Sequence, residues 1–278
     1  MIAAIGELVL DVTVLPEGDL RPGDDRDAVV RIGGGGQAAN FCGWAASLGE
    51  PARLLTRVGD DEIGRLLVAD LERSGVEVIA ASGPEPTGAL VVLIGKGGER
   101  SFARQRGAGM GLRAEEIAPA WLAGVRLLHV PAYALFQEPS ASAARSAVHL
   151  VRQGGGLLSI DLSSAADIRE HGGSRLVESL EALAPDLLFG TEAELAELGD
   201  RSQSPARLVV AKLGRRGCLV QGRRVPAPRA SEVDTTGAGD ALAAAFCLAF
   251  LDGSTPLEAA GRAVLVAARA VSQLGARP

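Results

Sequence analysis

Short apolar runs alternate with helical stretches along most of the chain. Four runs, VRLLHV, GLLSIDL, DLLFG and RLVVAKLG, have the length of buried strands. Strand-like segments at 2–12 and 52–58 precede predicted helices at 37–48 and 62–73, and a further helix is predicted at roughly 256–273. Strands and helices that alternate in this way form a mainly parallel sheet flanked by helices on both faces. The sequence therefore predicts an α/β fold in which a single domain spans residues 1–278.

Two regions interrupt this alternation. Residues 13–32 carry Pro16, Pro22 and a charged cluster, and they end in the alternating run AVVRI. Residues 87–105 contain two strand-like runs around a Gly97-Gly98 turn. We predict that the two regions together form a small antiparallel flap that projects from the main domain; the alternative is a plain surface hairpin.

The segment VDTTGAGD at 233–240 is followed by the apolar run ALAAAFCLAF, which predicts a buried helix. Gly237, Ala238 and Gly239 would then lie where the first amides of the helix have no partner, and such a helix end attracts phosphate. The carboxylate of Asp240 would repel phosphate, so its position at this helix end indicates a functional role. Acceptance of the proton from an attacking hydroxyl is such a role. The alternative is an ordinary helix N-terminus whose dipole Asp240 complements.

A second glycine-rich segment, IGGGGQAAN at 32–40, also precedes a predicted helix. Consecutive glycines allow a ligand to come close to the backbone. Asn40 offers both a donor and an acceptor to sugar hydroxyls. Alone, this segment is as consistent with a flexible loop; together with the distal motif it indicates a binding site.

Charge and composition exclude several classes of function. The net charge is −6 with a pI near 5.3 and no basic cluster, so nucleic acid is not an expected partner. The apolar runs are shorter than a membrane span and the N-terminus lacks a basic leader, so we expect a cytoplasmic protein without membrane contact. Cys42, Cys218 and Cys247 cannot all pair and lack metal-ligand spacing, which indicates reduced core residues.

Both glycine-rich motifs resemble those of the ribokinase family of carbohydrate and nucleoside kinases, also called the phosphofructokinase B family. The resemblance rests on GG-x-G-x-x-N at 33–40 and DTTGAGD at 234–240. Weaker matches occur in the expected order at Gly6-Glu7, GDDEIG (59–64), Pro86-Thr87-Gly88, GERSF (98–102), the turn at 213–217 and Gly275-Ala276. The resemblance implies a ribokinase-like fold, transfer of the ATP γ-phosphoryl group to an alcohol, and a flap that acts as a lid over the sugar. Because such lids often pair two subunits in relatives, it also implies a homodimer.

On the sugar side, the resemblance implies a substrate site formed by Asp11, Gly34, Gly35, Asn40 and Asp240. Asp11 is expected at the end of the first strand, where its carboxylate can accept hydrogen bonds from two hydroxyls. Its alternative role is to cap the following turn. The flap arginines Arg100, Arg104 and Arg106 have two interpretations: one pairs with an acidic group of the substrate, or all are solvated.

On the nucleotide side, the resemblance implies contacts from Thr191, Lys212, Gly214, Gly217, Gly239, Val264 and Ala267. Relatives usually carry asparagine where this chain has Thr191, whereas Glu194 matches the glutamate that organises Mg²⁺, through water in our interpretation. Lys212 stands where many relatives have threonine, and either contacts the phosphates or points outward from a strand end. Val264 and Ala267 either line the adenine slot or belong to the core.

Relatives that use a monovalent cation hold potassium at positions that match Asp234, Thr236, Ala270, Gln273 and Gly275. Such an ion would steady the phosphate-binding loop without contact to the substrate. Potassium is therefore an optional cofactor beside ATP and Mg²⁺, because not every relative requires it.

The acceptor alcohol is the least determined part of the prediction. Phosphosugar kinases of the family often have GGKG where this chain has Gly33–Gly36, which weakens a phosphosugar interpretation. The segment ERSFARQRGAG resembles fructokinase-like and 2-keto-3-deoxygluconate-kinase-like members, so a free sugar or sugar acid is predicted. The alternatives are a nucleoside kinase and a catalytically silent sugar- or nucleoside-binding protein, the latter supported only by the departure at Thr191.

Overall fold

The computed structural model describes residues 1–95, 100–201 and 205–278, which form two β-sheets and the helices around them. The strands are β1 (Ile2–Ile5), β2 (Val9–Pro16), β3 (Ala28–Gly35), β4 (Ala52–Gly59), β5 (Val76–Gly83), β6 (Thr87–Ile94), β7 (Arg100–Gly107), β8 (Leu127–Pro131), β9 (Leu157–Asp161), β10 (Leu187–Thr191), β11 (Leu208–Lys212), β12 (Cys218–Val220) and β13 (Arg223–Val225). The α-helices are α1 (Gln37–Ser47), α2 (Glu62–Arg73), α3 (Ser140–Gln153), α4 (Ala165–His171), α5 (Gly173–Leu183), α6 (Glu192–Ala196), α7 (Ala238–Leu251) and α8 (Pro256–Val271). The predicted helices at 37–48, 62–73 and 256–273 are confirmed to within two residues.

The larger sheet has the strand order β13-β12-β11-β10-β9-β8-β1-β4-β5 within the described residues. Pairing is parallel from β5 to β11, and only β12 and β13 at one edge run antiparallel. The predicted α/β architecture with a mainly parallel sheet is confirmed. Because parallel strands end at the same edge, residues that follow β9, β10 and β11 lie near one another.

Alternate residues of the central strands enter two separate cores. On β1, Ile2 and Ala4 pack with α1, α7 and α8, whereas Ala3 and Ile5 pack with residues of α3 and α5 on the opposite face. Strands buried on both faces have no polar side to alternate with, which explains why their sequences are continuous apolar runs. The cysteines Cys42, Cys218 and Cys247 are buried and unpaired.

The smaller sheet has the order β3-β2-β6-β7. The pairs β2–β3 and β6–β7 are antiparallel hairpins, and the two hairpins join through a parallel pairing of β2 with β6. Its strands extend beyond the predicted ranges 13–32 and 87–105, since they include residues 9–12 and 33–35. The predicted Gly97-Gly98 turn lies outside the described residues.

The sequence predicts a single strand at 2–12. In the structure this apolar run instead forms two strands, β1 and β2, which belong to different sheets. The chain leaves the larger sheet at Gly6, where a Cβ atom would lie 2.9 Å from the Cβ of Ala38 and 3.0 Å from the hydroxyl of Tyr133. Hydrophobicity alone could not reveal this break, because both halves are apolar. Asp11 consequently lies within β2 of the small sheet rather than at the end of a central strand.

No helix in the part of the chain that the structure describes is both long enough and apolar enough to cross a membrane.

Candidate active site

The loop before α7 has a backbone that only glycine tolerates. Gly237 adopts a φ of +76°, and a Cβ atom there would lie 2.1 Å from the carbonyl oxygen of Ala276. This turn starts α7 directly, so the first amides of the helix face outward without acceptors inside the helix. Gly237, Ala238 and Gly239 therefore have the backbone geometry of an anion-binding helix end, the role that their sequence predicts.

Asp240 lies in the first turn of α7 and is 7% exposed. Burial raises its pKa to about 7, and the hydrogen bond from Asn40 opposes that rise only in part. The amide nitrogen Nδ2 of Asn40 donates to Oδ2 of Asp240 over 2.8 Å, and the side chain of Gln37 also hydrogen bonds to this carboxylate. A carboxylate whose pKa lies near neutral pH is suited to accept a proton during a reaction.

The sugar-side residues carry buried acceptors that the described residues leave unused. Oδ1 of Asp11 and Oδ1 of Asn40 are both buried without a hydrogen-bond partner. Burial raises the pKa of Asp11 to about 6, while the charge of Arg277 acts in the opposite direction. Buried acceptors are normally paired, so these two oxygens fit the hydroxyl donors of a polyol.

Two adjacent glycines of β3 have different neighbours. A Cβ atom on Gly35 would lie 2.0 Å from Oδ2 of Asp11, whereas one on Gly34 would lie 1.7 Å from Nη2 of Arg277. Successive residues of a strand face opposite sides of the sheet, so Asp11 and Arg277 lie on opposite faces of β3. A side chain at either position would displace the charged group that now lies beside it.

Two of the flap arginines, Arg104 and Arg106, pair with carboxylates of the protein, although the side chain of Arg104 is still 44% exposed. Arg104 donates to both carboxylate oxygens of Asp167 over 2.7 and 2.5 Å. Arg106 donates to Asp167 over 2.7 Å and to Glu7 over 2.8 Å. Burial favours a higher pKa for Asp167, but the hydrogen bonds and charges of the two arginines lower it. These pairs join the small sheet to the main domain; the side chain of Arg100 lies outside the described part.

A cavity of about 250 Å³ adjoins these ion pairs. Its lining includes Arg104, Arg106, Met110, Tyr133, Phe136 and Asp167. Asp11 and Asp240 are not part of the lining.

Lys212 forms a buried ion pair under the anion-binding loop. Its Nζ donates to both oxygens of Asp161 over 2.8 Å and lies 3.9 Å from Oε2 of Glu194. Burial favours a lower pKa for Lys212, but the charges of Asp161 and Glu194 raise it overall, so the ammonium stays charged. A Cβ atom on Gly239 would lie 3.4 Å from Nζ, which places this charge next to the outward-facing amides at the start of α7. Lys212 does not point outward.

Thr191 and Glu194 form a capping box at the start of α6. The backbone amide of Thr191 donates to Oε2 of Glu194 over 2.7 Å, and the amide of Glu194 donates to the Thr191 hydroxyl over 3.3 Å. Among the described residues, no group of three or more His, Cys, Asp or Glu could hold a metal ion. Three carboxyl groups, those of Asp161, Glu194 and Asp240, nevertheless face only one ammonium group, that of Lys212. This excess of acidic groups fits a Mg²⁺ ion bound mainly by phosphates and water.

The other predicted nucleotide contacts fall in two places. Gly214 and Gly217 form the turn between β11 and β12, and both have positive φ angles, +58° and +93°. Val264 is buried in the core with α1 and α7, which matches its interpretation as a core residue rather than as part of an adenine slot. Ala267 is only partly buried.

Two of the predicted cation residues, Thr236 and Gly275, contact Asp234 directly. Its Oδ1 accepts from the amide and the hydroxyl of Thr236, over 2.9 and 2.7 Å, and its Oδ2 accepts from the amide of Gly275 over 3.2 Å. The carbonyl of Ala270 accepts from the amide of Gln273 over 3.3 Å. Asp234 thus fastens the C-terminal segment to the anion-binding loop.

Sequence reasoning did not identify Gln37, Asp161, Asp167 or Arg277. Asp161 had a visible signal, because it is the only charged residue in the apolar run GLLSIDL. Gln37 follows the glycines directly and precedes Asn40 by one helical turn. The other two have no local signal.

The chain is similar to known proteins over its full length. Residues 1–278 match the family described as pfkB family carbohydrate kinase. Fructokinase-1 of Zea mays is 29% identical over 233 residues, which cover 76% of this chain and 72% of that protein. The ATP-dependent ribose-1-phosphate kinase of Halopiger xanaduensis is 32% identical over 260 residues, 88% of this chain and 81% of that protein.

A solved structure shows that the fold is shared over the full length. The adenosine kinase of Sinorhizobium meliloti superposes with a TM-score of 0.87 over 100% of this chain and 95% of the other, at 24% sequence identity.

Proposed function

Because the chain belongs to the pfkB family of carbohydrate kinases, which are phosphotransferases with an alcohol acceptor, we propose that it transfers the γ-phosphoryl group of ATP to the hydroxymethyl group of a free sugar. The observation that carries this proposal is the position of Asp240. A buried carboxylate with a pKa of about 7 directly follows the amides of an anion-binding helix end. A binding protein has no evident use for such a base beside phosphate.

The proposed reaction uses residues of both motifs. Asp240 accepts the proton of the attacking hydroxyl, while Asn40 and Gln37 hold its carboxylate in place. The amides of residues 237–239 stabilise the charge on the transferring group. Lys212, with its ammonium next to Gly239, places a positive charge on the same side. Mg²⁺, when bound with the nucleotide, neutralises phosphate charge, and Glu194 with Asp161 would hold its water ligands.

The balance of charges favours a neutral sugar over a sugar acid. Arg104 and Arg106 are already paired with Asp167 and Glu7. An acidic substrate group at these arginines would have to displace a carboxylate that accepts three charge-assisted hydrogen bonds. The unused acceptors on Asp11 and Asn40 instead match hydroxyl donors. The names of the fructokinase relatives support a ketose.

A screen of ATP consumption tests the substrate. The panel contains D-fructose, D-ribose, 2-keto-3-deoxygluconate, ribose 1-phosphate and adenosine, with Asp240→Asn as the inactive control. We expect the highest kcat/KM for a neutral sugar. A preference for adenosine would replace this proposal by a nucleoside kinase, and binding without turnover of any compound would favour a silent binding protein.

Two further proposals concern ions. We propose that activity requires Mg²⁺, so that EDTA abolishes turnover and added Mg²⁺ restores it.

We also propose that Asp234, Thr236 and Gly275 with the carbonyls of Ala270 and Gln273 support a potassium ion. Replacement of K⁺ by Na⁺ should then lower kcat; equal rates in both salts would count against this ion.

We propose that the small sheet closes over the sugar as a lid. The support is that β2 carries Asp11 and β7 carries the arginines that reach Asp167 in the main domain. Hydrogen exchange measures the closure. D-fructose, or the best substrate from the screen, should protect residues 28–35 and 100–107 more than ATP does, and equal protection by ATP alone would contradict the closure.

We also propose that two copies of the chain pair through the small sheet. Six aliphatic residues share one face of it: Val12, Val14, Val30, Ile32, Val91 and Leu93. Val30 and Ile32 are 54% and 69% exposed, and a second copy of the same face would cover them. Light scattering should give a dimer for the wild type and for Leu265→Glu, a control at an exposed leucine on α8, but a monomer for Ile32→Glu. A monomeric wild type would reject the pairing.

A further inference from the structure

Residues 273–277 contact both halves of the candidate active site. On the nucleotide side, the amide of Gly275 donates to Asp234, and the carbonyl of Ala276 packs against Gly237. The same carbonyl accepts a 2.9 Å hydrogen bond from the indole of Trp44 on α1. On the sugar side, Arg277 reaches the backbone of Gly34. One short segment therefore connects the anion-binding loop to the strand that lies against Asp11.

Arg277 is 10% exposed and its guanidinium lies behind β3. Its Nε donates to the carbonyl oxygen of Gly34 over 3.1 Å, and its Nη2 donates to Asp70 of α2 over 3.2 Å. Its side-chain carbons lie against α1, where a Cβ atom on Gly43 would be 3.3 Å from Cδ. The side chain thus links β3 to two helices of the main domain.

Burial of the Arg277 guanidinium in this arrangement costs free energy. Nη1 of Arg277 is buried and has no hydrogen-bond partner among the described residues. A buried guanidinium with an unpaired nitrogen loses hydration that its contacts do not fully replace. A side chain at Gly34 would also displace Nη2 from its present position. A buried arginine with these unfavourable features indicates a function beyond packing.

The function follows from what lies on the other face of β3. The carboxylate of Asp11 packs over Gly35, the residue next to Gly34. Two charged groups act on Asp11: Arg277 favours its ionised form, and Asp234 opposes it. Only the ionised carboxylate has both oxygens free to accept from hydroxyls. Arg277 therefore acts on Asp11 through the backbone and through its charge.

We propose that Arg277 is a positioning residue for the sugar side of the site, which fixes the Gly34 carbonyl and holds a permanent positive charge behind Asp11. Arg277 does not contact the substrate. The role in sugar binding rests on the function proposed above, whereas the anchoring of β3 does not. The two parts are therefore tested by separate measurements.

Hydrogen exchange without any ligand tests the anchoring. Arg277→Gln removes the charge and two donors, Arg277→Lys keeps the charge, and Arg269→Gln is the control at an exposed arginine of α8. We expect faster exchange in residues 28–36 of Arg277→Gln than of Arg269→Gln, with Arg277→Lys between them. Equal exchange in all three proteins would overturn the anchoring, whatever the substrate is. If Arg277→Gln does not fold, the lysine variant carries the same comparison.

Steady-state kinetics tests the sugar role, with D-fructose or the best substrate of the screen. Arg277→Gln should raise KM for the sugar on the order of tenfold, because a charge-supported acceptor is weakened, while KM for ATP changes less than about threefold. The acidic limb of kcat/KM for the sugar should also move to higher pH, since Asp11 then ionises later. Arg277→Lys keeps the positive charge, so its pH profile should be closer to that of the wild type than its KM for the sugar. A lower unfolding temperature with unchanged sugar KM and pH profile would reduce Arg277 to a structural contact and overturn the proposal.

Discussion

Nδ2 of Asn40 donates a 2.8 Å hydrogen bond to Oδ2 of Asp240, a residue 200 positions further along the chain. Asn40 lies in the first turn of α1 and Asp240 in the first turn of α7, and both helices belong to the same core. Each helix follows a glycine with a positive φ angle, Gly36 and Gly237. The bond therefore brings the two glycine-rich motifs together at one point, where an alcohol and a phosphate would meet.

Asp240→Asn should lower kcat by about two to four orders of magnitude, because the amide cannot accept the hydroxyl proton. In the wild type, kcat should fall as the pH drops below about 7, where the carboxylate becomes protonated. Asp252→Asn, at the exposed C-terminal end of the same helix, is the control and should keep full activity. Near-full turnover of Asp240→Asn would exclude Asp240 as the base.

The same variant should become relatively more stable as the pH rises. Asp240 has a pKa of about 7 in the folded protein and an ordinary value of 3.8, so its folded form binds the proton more tightly. Its contribution to stability is complete below pH 3.8 and is lost as the pH rises through 7. Without ligand, Asp240→Asn should gain up to about 4 kcal/mol over the wild type between pH 4 and pH 8. Urea unfolding at both pH values measures this gain; a difference that does not grow with pH would contradict it.

Gly237→Ala should be more destabilising than Gly253→Ala. Both glycines have positive φ angles, but a Cβ atom on Gly237 would overlap the carbonyl oxygen of Ala276, whereas Gly253 has open space. The control should lose about 1 kcal/mol from backbone strain alone. Gly237→Ala should lose about 2–4 kcal/mol and most of its activity, because the loop or the C-terminal segment must move. Equal losses in thermal unfolding would show that the contact with Ala276 is unimportant.

Lys212→Met should destabilise the protein by about 3–5 kcal/mol, because Asp161 would remain as a buried charge without its partner. Asp161 is fully buried and accepts two hydrogen bonds from Lys212. The double variant Asp161→Asn with Lys212→Met should regain part of this loss in urea unfolding, but its KM for ATP should stay raised. Restoration of both stability and ATP affinity would show that Lys212 serves only to neutralise Asp161.

Much of the site chemistry could be predicted from residues that are close together in the sequence. Glycine at 237 is required by a backbone angle, and Asp240 follows in the first helical turn wherever that helix is placed. Asn40 likewise follows from the start of α1. These features depend on residues within one or two turns of each other, so motif and periodicity were sufficient to predict them. The alternating apolar runs predicted the parallel sheet for the same reason, since a strand buried on both faces is apolar throughout.

Pairings between distant segments were not predictable in this way. Arg104 was expected to be solvated or to meet a substrate, but it pairs with Asp167; Lys212 pairs with Asp161. Nothing in the flanking residues distinguishes a paired charge from a solvated one. Only the parallel order of β9, β10 and β11 brings Asp161 next to Lys212.

The sequence by itself determined the fold class, the limits of the main helices and the chemistry of the two glycine-rich motifs. The tertiary structure alone decided that Asp11 belongs to the small sheet, that Arg104 and Arg106 pair with Asp167, and that Arg277 lies behind the sugar-side strand. The physical reason is the range of the forces involved. Backbone angles and hydrophobic periodicity act within a few residues, whereas the partner of a buried charge depends on where the whole chain places another segment.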